Sequence, residues 1–185
     1  MKNQTDVRRL LIGFDFLEIT PVGSLLVTAS EKGLREVRFY SLKEYKLFMK
    51  HQMQNLTPKV QKTVAEALQQ LQEYFQGSRR NFEMPIDWSG LTLFTAAVLK
   101  ETQKIKFGEV RTYGQMAAKI HAPKASRAVG RALSVNPLTI IIPCHRIVDR
   151  EGGLHGYSAP GGLKTKSWLL VHEGVDVRDN RVLIE

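Results

Sequence analysis

The sequence predicts an α/β protein: a small N-terminal α/β domain with a β-hairpin and a helix, followed by a mainly helical C-terminal domain with a winged-helix-like helix-turn-helix. Three observations predict it. Two short apolar runs flank a turn-forming tetrapeptide early in the chain, which is hairpin spacing. One long stretch of helical periodicity follows. Beyond residue 90, capping residues, Gly and Pro cut the chain into several short helical stretches. The expected division is an N-terminal α/β supporting domain over 1–85, a C-terminal domain over 86–175 and a tail over 176–185. A chain of 185 residues has room for one domain or two small ones.

Leu10 to Ile19 alternates loosely between apolar and polar residues and reads as a first extended segment. Ser24 to Ala29 and Leu34 to Phe39 read as the hairpin strands, joined by the turn Ser30-Glu31-Lys32-Gly33. The helix starts at Thr57, a side-chain cap, with Pro58 in its first turn. Val60, Val64, Leu68, Leu71 and Phe75 recur at helical spacing, and Gly77 stops it. The polar stretch 77–90 reads as the connection between domains. Thr92 to Ile105 is the next helix. Thr112 and Gln115 have capping-box spacing and open a short helix to about Ile120. His121-Ala122-Pro123 breaks the chain, and Lys124 to Ser134 forms the following helix. Two short helices joined by a tight turn are a helix-turn-helix candidate. Leu138 to Ile142 reads as a strand-like apolar run leading to Pro143-Cys144-His145-Arg146. A Gly-rich loop then leads to a last helix, Leu163 to about Glu173, closed by Gly174.

Composition narrows the function. Hydrophobic residues make up 43% of the chain, enough for a packed core. The one cysteine excludes an intramolecular disulfide and a Cys-rich zinc site, and the five histidines lack HExxH spacing. No cofactor or metal is therefore expected. The N-terminus is too interrupted by charge for a signal peptide, and no apolar run approaches the ~20 residues of a membrane helix. The chain reads as cytoplasmic, with no membrane association. The net charge is +9, and no acidic residue occurs between Glu109 and Asp149. Arg111, Lys119, Lys124, Arg127, Arg131 and Arg146 all fall in that interval. A solvated face normally mixes signs, so this segment points to a polyanion; a basic protein with basic stretches is the blander alternative.

The second helix of the candidate pair is unusual for a major-groove reader. Ala125, Ala128, Gly130 and Ala132 are small, and only Arg127 and Arg131 are long. Small residues let a backbone approach a narrow groove, and they equally suit helix–helix packing. Cys144 has His145 beside it as a candidate base, acting directly or through water, and Glu173 as a candidate orienting carboxylate. An arbitrary buried cysteine is inert packing, so the pair alone does not decide the matter.

The combination is more specific than its parts. The run from Pro143 to Val148 (PCHRIV) resembles the signature of the O6-alkylguanine-DNA alkyltransferases, also called methylated-DNA–protein-cysteine methyltransferases. Phe107-Gly108-Glu109-Val110, Thr112-Tyr113-Gly114, Ser126 to Gly130, Asn136-Pro137, the GYS…GGLxxKxWLL segment and His172-Glu173-Gly174 agree in order and spacing. The resemblance covers residues 86 to 175 strongly, and Thr20 to Gly23 with the following hairpin is similar to the family's N-terminal domain.

That resemblance implies a DNA repair protein. It would flip O6-alkylguanine, and also O4-alkylthymine, out of duplex DNA and move the alkyl group irreversibly to Cys144, once per molecule. His145 then matches the residue that deprotonates the cysteine through water, and Glu173 its carboxylate partner. Tyr113 matches the tyrosine that donates to the guanine ring. Val148 matches a position whose carbonyl reads the guanine amine, and Tyr157 and Ser158 match the loop over the flipped base. Arg127 matches the arginine that fills the vacated place in the stack. Asn136 matches a hinge between recognition helix and nucleophile. Thr112, Ala128, Gly130 and Arg131 fall on the DNA-binding helices. The partner implied is double-stranded DNA held in the minor groove by a monomer.

There are departures from the pattern. Ala159 and Pro160 lengthen the loop after Ser158 by two residues, which is expected to change how its lining admits alkyl groups. Lys106-Phe107 replaces Pro-Tyr, and Leu99 stands where Trp is common. Two other classes remain open on sequence: a lesion sensor that binds without reacting, and a cysteine hydrolase that turns over repeatedly.

Overall fold

The computed structural model describes residues 13–41, 43 and 57–183. The start of the first expected strand, residues 10–12, lies outside the described residues. Strands β1 (Gly13–Leu17), β2 (Leu25–Ser30) and β3 (Gly33–Phe39) form an antiparallel sheet in the order β1-β2-β3. β2 is buried along its whole length, as the central strand of three. The turn between β2 and β3 is only Glu31-Lys32, and Gly33 follows it at a φ of 135°, open to glycine and hostile to other residues.

Helix α1 (Pro58–Phe75) packs against the sheet. The Thr57 hydroxyl accepts from the Val60 amide at 3.3 Å, as the cap requires. Its most buried side chains are Val60, Val64, Ala67, Leu71 and Tyr74. Leu68 and Phe75, expected on that face, are only partly buried, so the face is turned towards Ala67 and Tyr74. The reason lies in the other half of the molecule, where a partner waits for the Tyr74 hydroxyl.

The second half holds α2 (Leu93–Gln103), β4 (Arg111–Thr112), α3 (Tyr113–Lys119) and α4 (Ser126–Ser134). A 3₁₀ turn over Cys144–Arg146 follows, then β5 (Ile147–Val148), α5 (Leu163–His172), β6 (Val177–Arg178) and β7 (Arg181–Val182). The capping box forms in both directions: the Thr112 hydroxyl accepts from the Gln115 amide at 3.1 Å, and the Thr112 amide donates to the Gln115 side chain at 2.8 Å. α4 begins two residues later than expected, because the Ala125 amide closes a turn on the Ala122 carbonyl at 2.8 Å. Residues 177–182 form a hairpin, and Val182 packs with Val148, Leu154 and Leu170 in a small second core.

The run from Leu138 to Ile142 is not a strand. The Ile141 amide bonds to the Thr139 carbonyl and the Cys144 amide to the Ile142 carbonyl, both at 2.8 Å, so the chain doubles back twice within seven residues. Ile140 carries a φ of 71° although it is β-branched and buried, a costly conformation that its surroundings must enforce. Apolarity there reflects burial and not strand periodicity.

β3 joins the halves. On its outer edge the Leu34 amide donates to the Pro85 carbonyl, and the Leu34 carbonyl accepts from the Asp87 amide, each at 2.8 Å. Three residues on, the Val37 amide donates to the Pro137 carbonyl at 2.8 Å, and the Thr139 amide donates to the Val37 carbonyl at 3.0 Å. The connecting stretch and the segment before the cysteine thus continue the sheet. One hydrophobic core runs through both halves, from Val37, Leu71 and Tyr74 to Val98, Met116, Val129 and Leu169.

A Cβ at Gly33 would lie 2.4 Å from the Pro85 carbonyl oxygen, where no flexible side chain can yield. Gly90 also has a positive φ, 85°, with nothing within 4 Å of its would-be Cβ. Gly33→Ala should therefore cost about 2–3 kcal/mol in urea denaturation, and Gly90→Ala only about 1 kcal/mol.

Candidate active site

α4 buries Val129, Ala132 and Leu133 and exposes Arg127 and Arg131. Gly130 faces the Tyr113 ring; a Cβ there would meet Tyr113 Cε1 at 3.7 Å. The small residues of this helix thus serve close packing on α3 as well as leaving the outer face low. After α4, Asn136 organises the doubled turn. Its Oδ1 accepts from the Leu138 amide at 3.0 Å, and its Nδ2 donates to the Ile142 carbonyl at 2.9 Å and to Cys144 Sγ at 3.3 Å. One side chain therefore fixes the turn and the sulfur, while the Asn136 backbone amide closes the end of α4 on the Leu133 carbonyl at 3.1 Å.

Behind Cys144, His145 and Glu173 are wholly buried, both side chains at 0% exposure. The Glu173 carboxylate accepts four hydrogen bonds. Oε1 takes the Tyr74 hydroxyl at 2.8 Å, His145 Nε2 at 2.8 Å and an Arg146 terminal nitrogen at 2.9 Å; Oε2 takes Arg146 Nε at 2.7 Å. Burial alone would raise this carboxyl, but His145 and Arg146 together hold it far below the usual carboxylate range. An ionised carboxylate can only accept, so His145 Nε2 carries the proton and Nδ1 presents a lone pair. That Nδ1 is buried with no partner. Burial pushes the His145 imidazole below its ordinary value, against the pull of Glu173, and keeps it neutral.

Burial also raises the Cys144 thiol, partly offset by the Asn136 hydrogen bond and the Lys166 charge. The sulfur is therefore held as a thiol until a base takes its proton. Lys166 is itself buried, and its ammonium falls to about 8 for that reason. Its Nζ donates to the Ile147 carbonyl at 2.6 Å and to the His155 carbonyl at 3.1 Å, tying the nucleophile segment to the following loop. Asp149 shapes the same loop: Oδ1 accepts the Glu151 and Gly153 amides, and Oδ2 pairs with His155 Nε2 at 2.6 Å.

Cys144 opens on a cavity of about 820 Å³ that Tyr113, Gly130, Asn136, Tyr157 and Ser158 also line. The Tyr157 hydroxyl is buried with no partner in hydrogen-bond geometry, and burial pushes its phenol well above the ordinary value. Burial pushes the Tyr113 phenol up, so it stays a hydrogen-bond donor. The site thus offers a thiol, a neutral base with a free lone pair behind it, and two phenols.

Six of the residues singled out from sequence share this cavity wall: Cys144, Tyr113, Gly130, Asn136, Tyr157 and Ser158. His145 and Glu173 stand behind it. Thr112, Arg127, Ala128 and Arg131 lie on the helix pair and do not line it. Val148 does not line it either: it is fully buried in β5, packed with Leu154, Leu170 and Val182. Ala159 and Pro160 lie outside the cavity lining and fold onto the start of α5, where the Gly162 amide bonds to the Ala159 carbonyl at 2.9 Å and the Thr165 hydroxyl to the Pro160 carbonyl. Sequence reasoning missed Tyr74, the Arg146 side chain, Lys166 and a wall of the cavity formed by β3. Arg146 and Lys166 stood inside the quoted motifs; Tyr74 looked like one more aromatic of an amphipathic helix. Among the described residues no cluster of three His, Cys, Asp or Glu side chains could hold a metal, and no helix is long and apolar enough to cross a membrane.

Two family models match the chain. Residues 93–175 match the DNA binding domain of 6-O-methylguanine DNA methyltransferase, and residues 17–88 match its ribonuclease-like domain. The constitutive methylated-DNA–protein-cysteine methyltransferase of Bacillus subtilis is 38% identical over 86% of this chain and 94% of its own. The methylated-DNA–protein-cysteine methyltransferase of Methanosarcina acetivorans is 38% identical over 84% and 94%. Among solved structures, the O6-methylguanine methyltransferase of Mycobacterium tuberculosis superposes with a TM-score of 0.73 at 33% identity, covering 88% of this chain and 92% of that one. An OGT from the same organism, solved in complex with DNA, gives 0.70 at 34% identity over 85% and 91%.

Removing the Glu173 charge leaves Arg146 buried and uncompensated. Glu173→Gln should destabilise by about 3 kcal/mol at pH 7 in urea denaturation. The folded carboxyl is depressed, so its stabilisation is fully present above the ordinary value of about 4.5 and is lost as pH falls towards the folded value. The difference between wild type and variant should hold from pH 7 to about 5 and shrink at pH 3.

Proposed function

This chain belongs to the 6-O-methylguanine DNA methyltransferase family, and from that premise we propose that Cys144 is the residue that accepts the alkyl group. The activity is that of a methylated-DNA–protein-cysteine methyltransferase, DNA repair by alkyl transfer to protein, and the partner is DNA. The observation that carries the assignment of Cys144 is its place at the cavity wall, backed by the buried His145–Glu173 pair.

The chemistry follows from the protonation states. His145 Nδ1, the free lone pair, takes the thiol proton through a water. The imidazolium is stabilised by Glu173, which lies 2.8 Å from its other nitrogen. The thiolate attacks the alkyl carbon in line with the O6–C bond. The S–C bond forms, the O6–C bond breaks, and the electron pair goes to the guanine, which recovers a proton and is restored. The thioether has no leaving group that water could displace under these conditions, so each molecule acts once. Tyr113 donates a hydrogen bond to the departing base, and Tyr157 and Ser158 cover it.

O6 lies inside the base stack, so the nucleotide must leave the duplex first. Exposed Arg127 on α4 fills its place, and the low surface of Ala128 and Gly130 lets the helix enter the minor groove as a monomer, with Arg131 and Thr112 at the backbone. The same pocket accepts O4-alkylthymine. A lone thiol consumed in use must stay reduced, which suits the cytoplasm.

Incubation with a duplex containing O6-methylguanine should replace the Cys144 hydrogen by one methyl group, read by peptide mass. Cys144→Ala should bind the lesion without repairing it; full repair by that variant would sink the assignment. Lesion binding by wild type with no modified cysteine would instead favour a sensor. Arg127→Ala should slow repair in duplex about tenfold or more, and slow reaction with free O6-benzylguanine far less, because the free base needs no extrusion. Equal losses on both substrates would contradict the flipping role.

A further inference from the structure

The cavity around Cys144 is not confined to the C-terminal half. Val37, Arg38 and Phe39 of β3 form one of its walls. Among the described residues that line it there is no acid, and Arg38 is the single arginine or lysine. His155 also reaches it, but that imidazole is tied to Asp149 at 2.6 Å. Strand alternation turns Val37 inward, fully buried, and Arg38 outward, with 60% of its side chain exposed. Arg38 pairs with Glu36 on the same strand, at 2.6 Å. An exposed pair of this kind contributes little, and a planar guanidinium can exchange it for a bidentate contact with phosphate.

The position of Arg38 is also fixed. Its neighbour Val37 is hydrogen-bonded on both sides to Pro137 and Thr139, next to the Asn136 that holds the cysteine sulfur. A nucleotide that swings into the cavity brings its own phosphates to the rim. From these observations we propose that Arg38 of the N-terminal sheet contacts a phosphodiester of the lesion-bearing strand, so that this domain is part of the DNA site. The inference rests on the DNA-alkyltransferase reading above and extends it to a half of the chain outside the helix-turn-helix.

The test compares Arg38→Ala, Arg38→Lys and a remote control, Lys62→Ala, whose side chain is 76% exposed on α1. Binding to the O6-methylguanine duplex is measured in a Cys144→Ala background between 50 and 200 mM salt, and reaction rates are measured in the unblocked protein. Losing one phosphate contact should make the plot of log affinity against log salt shallower by about 0.9. Arg38→Ala should show that change and a loss of roughly three- to tenfold in duplex affinity at low salt. Arg38→Lys should keep most of the slope, and Lys62→Ala should match wild type. The ratio of duplex rate to free O6-benzylguanine rate should fall for Arg38→Ala. A wild-type slope for Arg38→Ala, or an equal loss on duplex and free base, overturns the phosphate contact. Failure of the unblocked wild type to alkylate Cys144 would overturn the underlying reading instead, so the two failures are distinguishable.

Discussion

The structure depends on one buried carboxylate. Glu173 sits at the end of α5 and collects hydrogen bonds from Tyr74, His145 and Arg146. A charge removed from water is tolerated only when its lone pairs are filled, and here four donors fill them. The arrangement decides three things together. It sets the tautomer of His145, so that the free lone pair is Nδ1. It neutralises Arg146, whose other nitrogen reaches the Ile105 carbonyl and ties in the end of α2. And through Tyr74 it fixes α1, and with it the first half of the molecule, to the second. Stability and reactivity therefore draw on the same group.

A second constraint runs along β3. The strand pairs with β2 on one edge and on the other with segments at 85–87 and 137–139. The doubled turn that ends at Cys144 is held from outside by this strand and from inside by Asn136. This explains how a β-branched residue can be kept at a left-handed φ in the middle of it: Ile140 is fixed by its neighbours' hydrogen bonds and by burial. The sulfur occupies a rigid place, supported by both halves, and the first half acts as part of the site's frame.

Local signals in the sequence identified much of this. Thr57 and Thr112 cap the helices they were expected to cap, because a cap is decided within four residues. Cys144, Tyr113, Tyr157 and Ser158 meet at one cavity, as their motifs implied. What escaped was set by contacts distant in sequence. Leu138 to Ile142 has the composition of a strand, but its hydrogen bonds go to Val37 and to the Asn136 side chain. Tyr74 turned the buried face of α1 towards a carboxylate 99 residues away. Val148 was matched through its backbone carbonyl alone, and the packing of its side chain in a separate small core carried no local signal. Arg38 carried no local mark; only the pairing of β3 with the segment after Asn136 brings it beside the thiol.

The pairing of Tyr74 with Glu173 also bears on how the molecule comes into being. A ribosome makes the thiol well before the carboxylate that organises its base. Until α5 has emerged and docked, Arg146 and His145 have no common acceptor, and a nascent chain carries Cys144 as an ordinary thiol. Contacts of such long sequence separation form late and slowly, after costly loop closure. The base that takes the thiol proton is thus assembled only when the last helix docks.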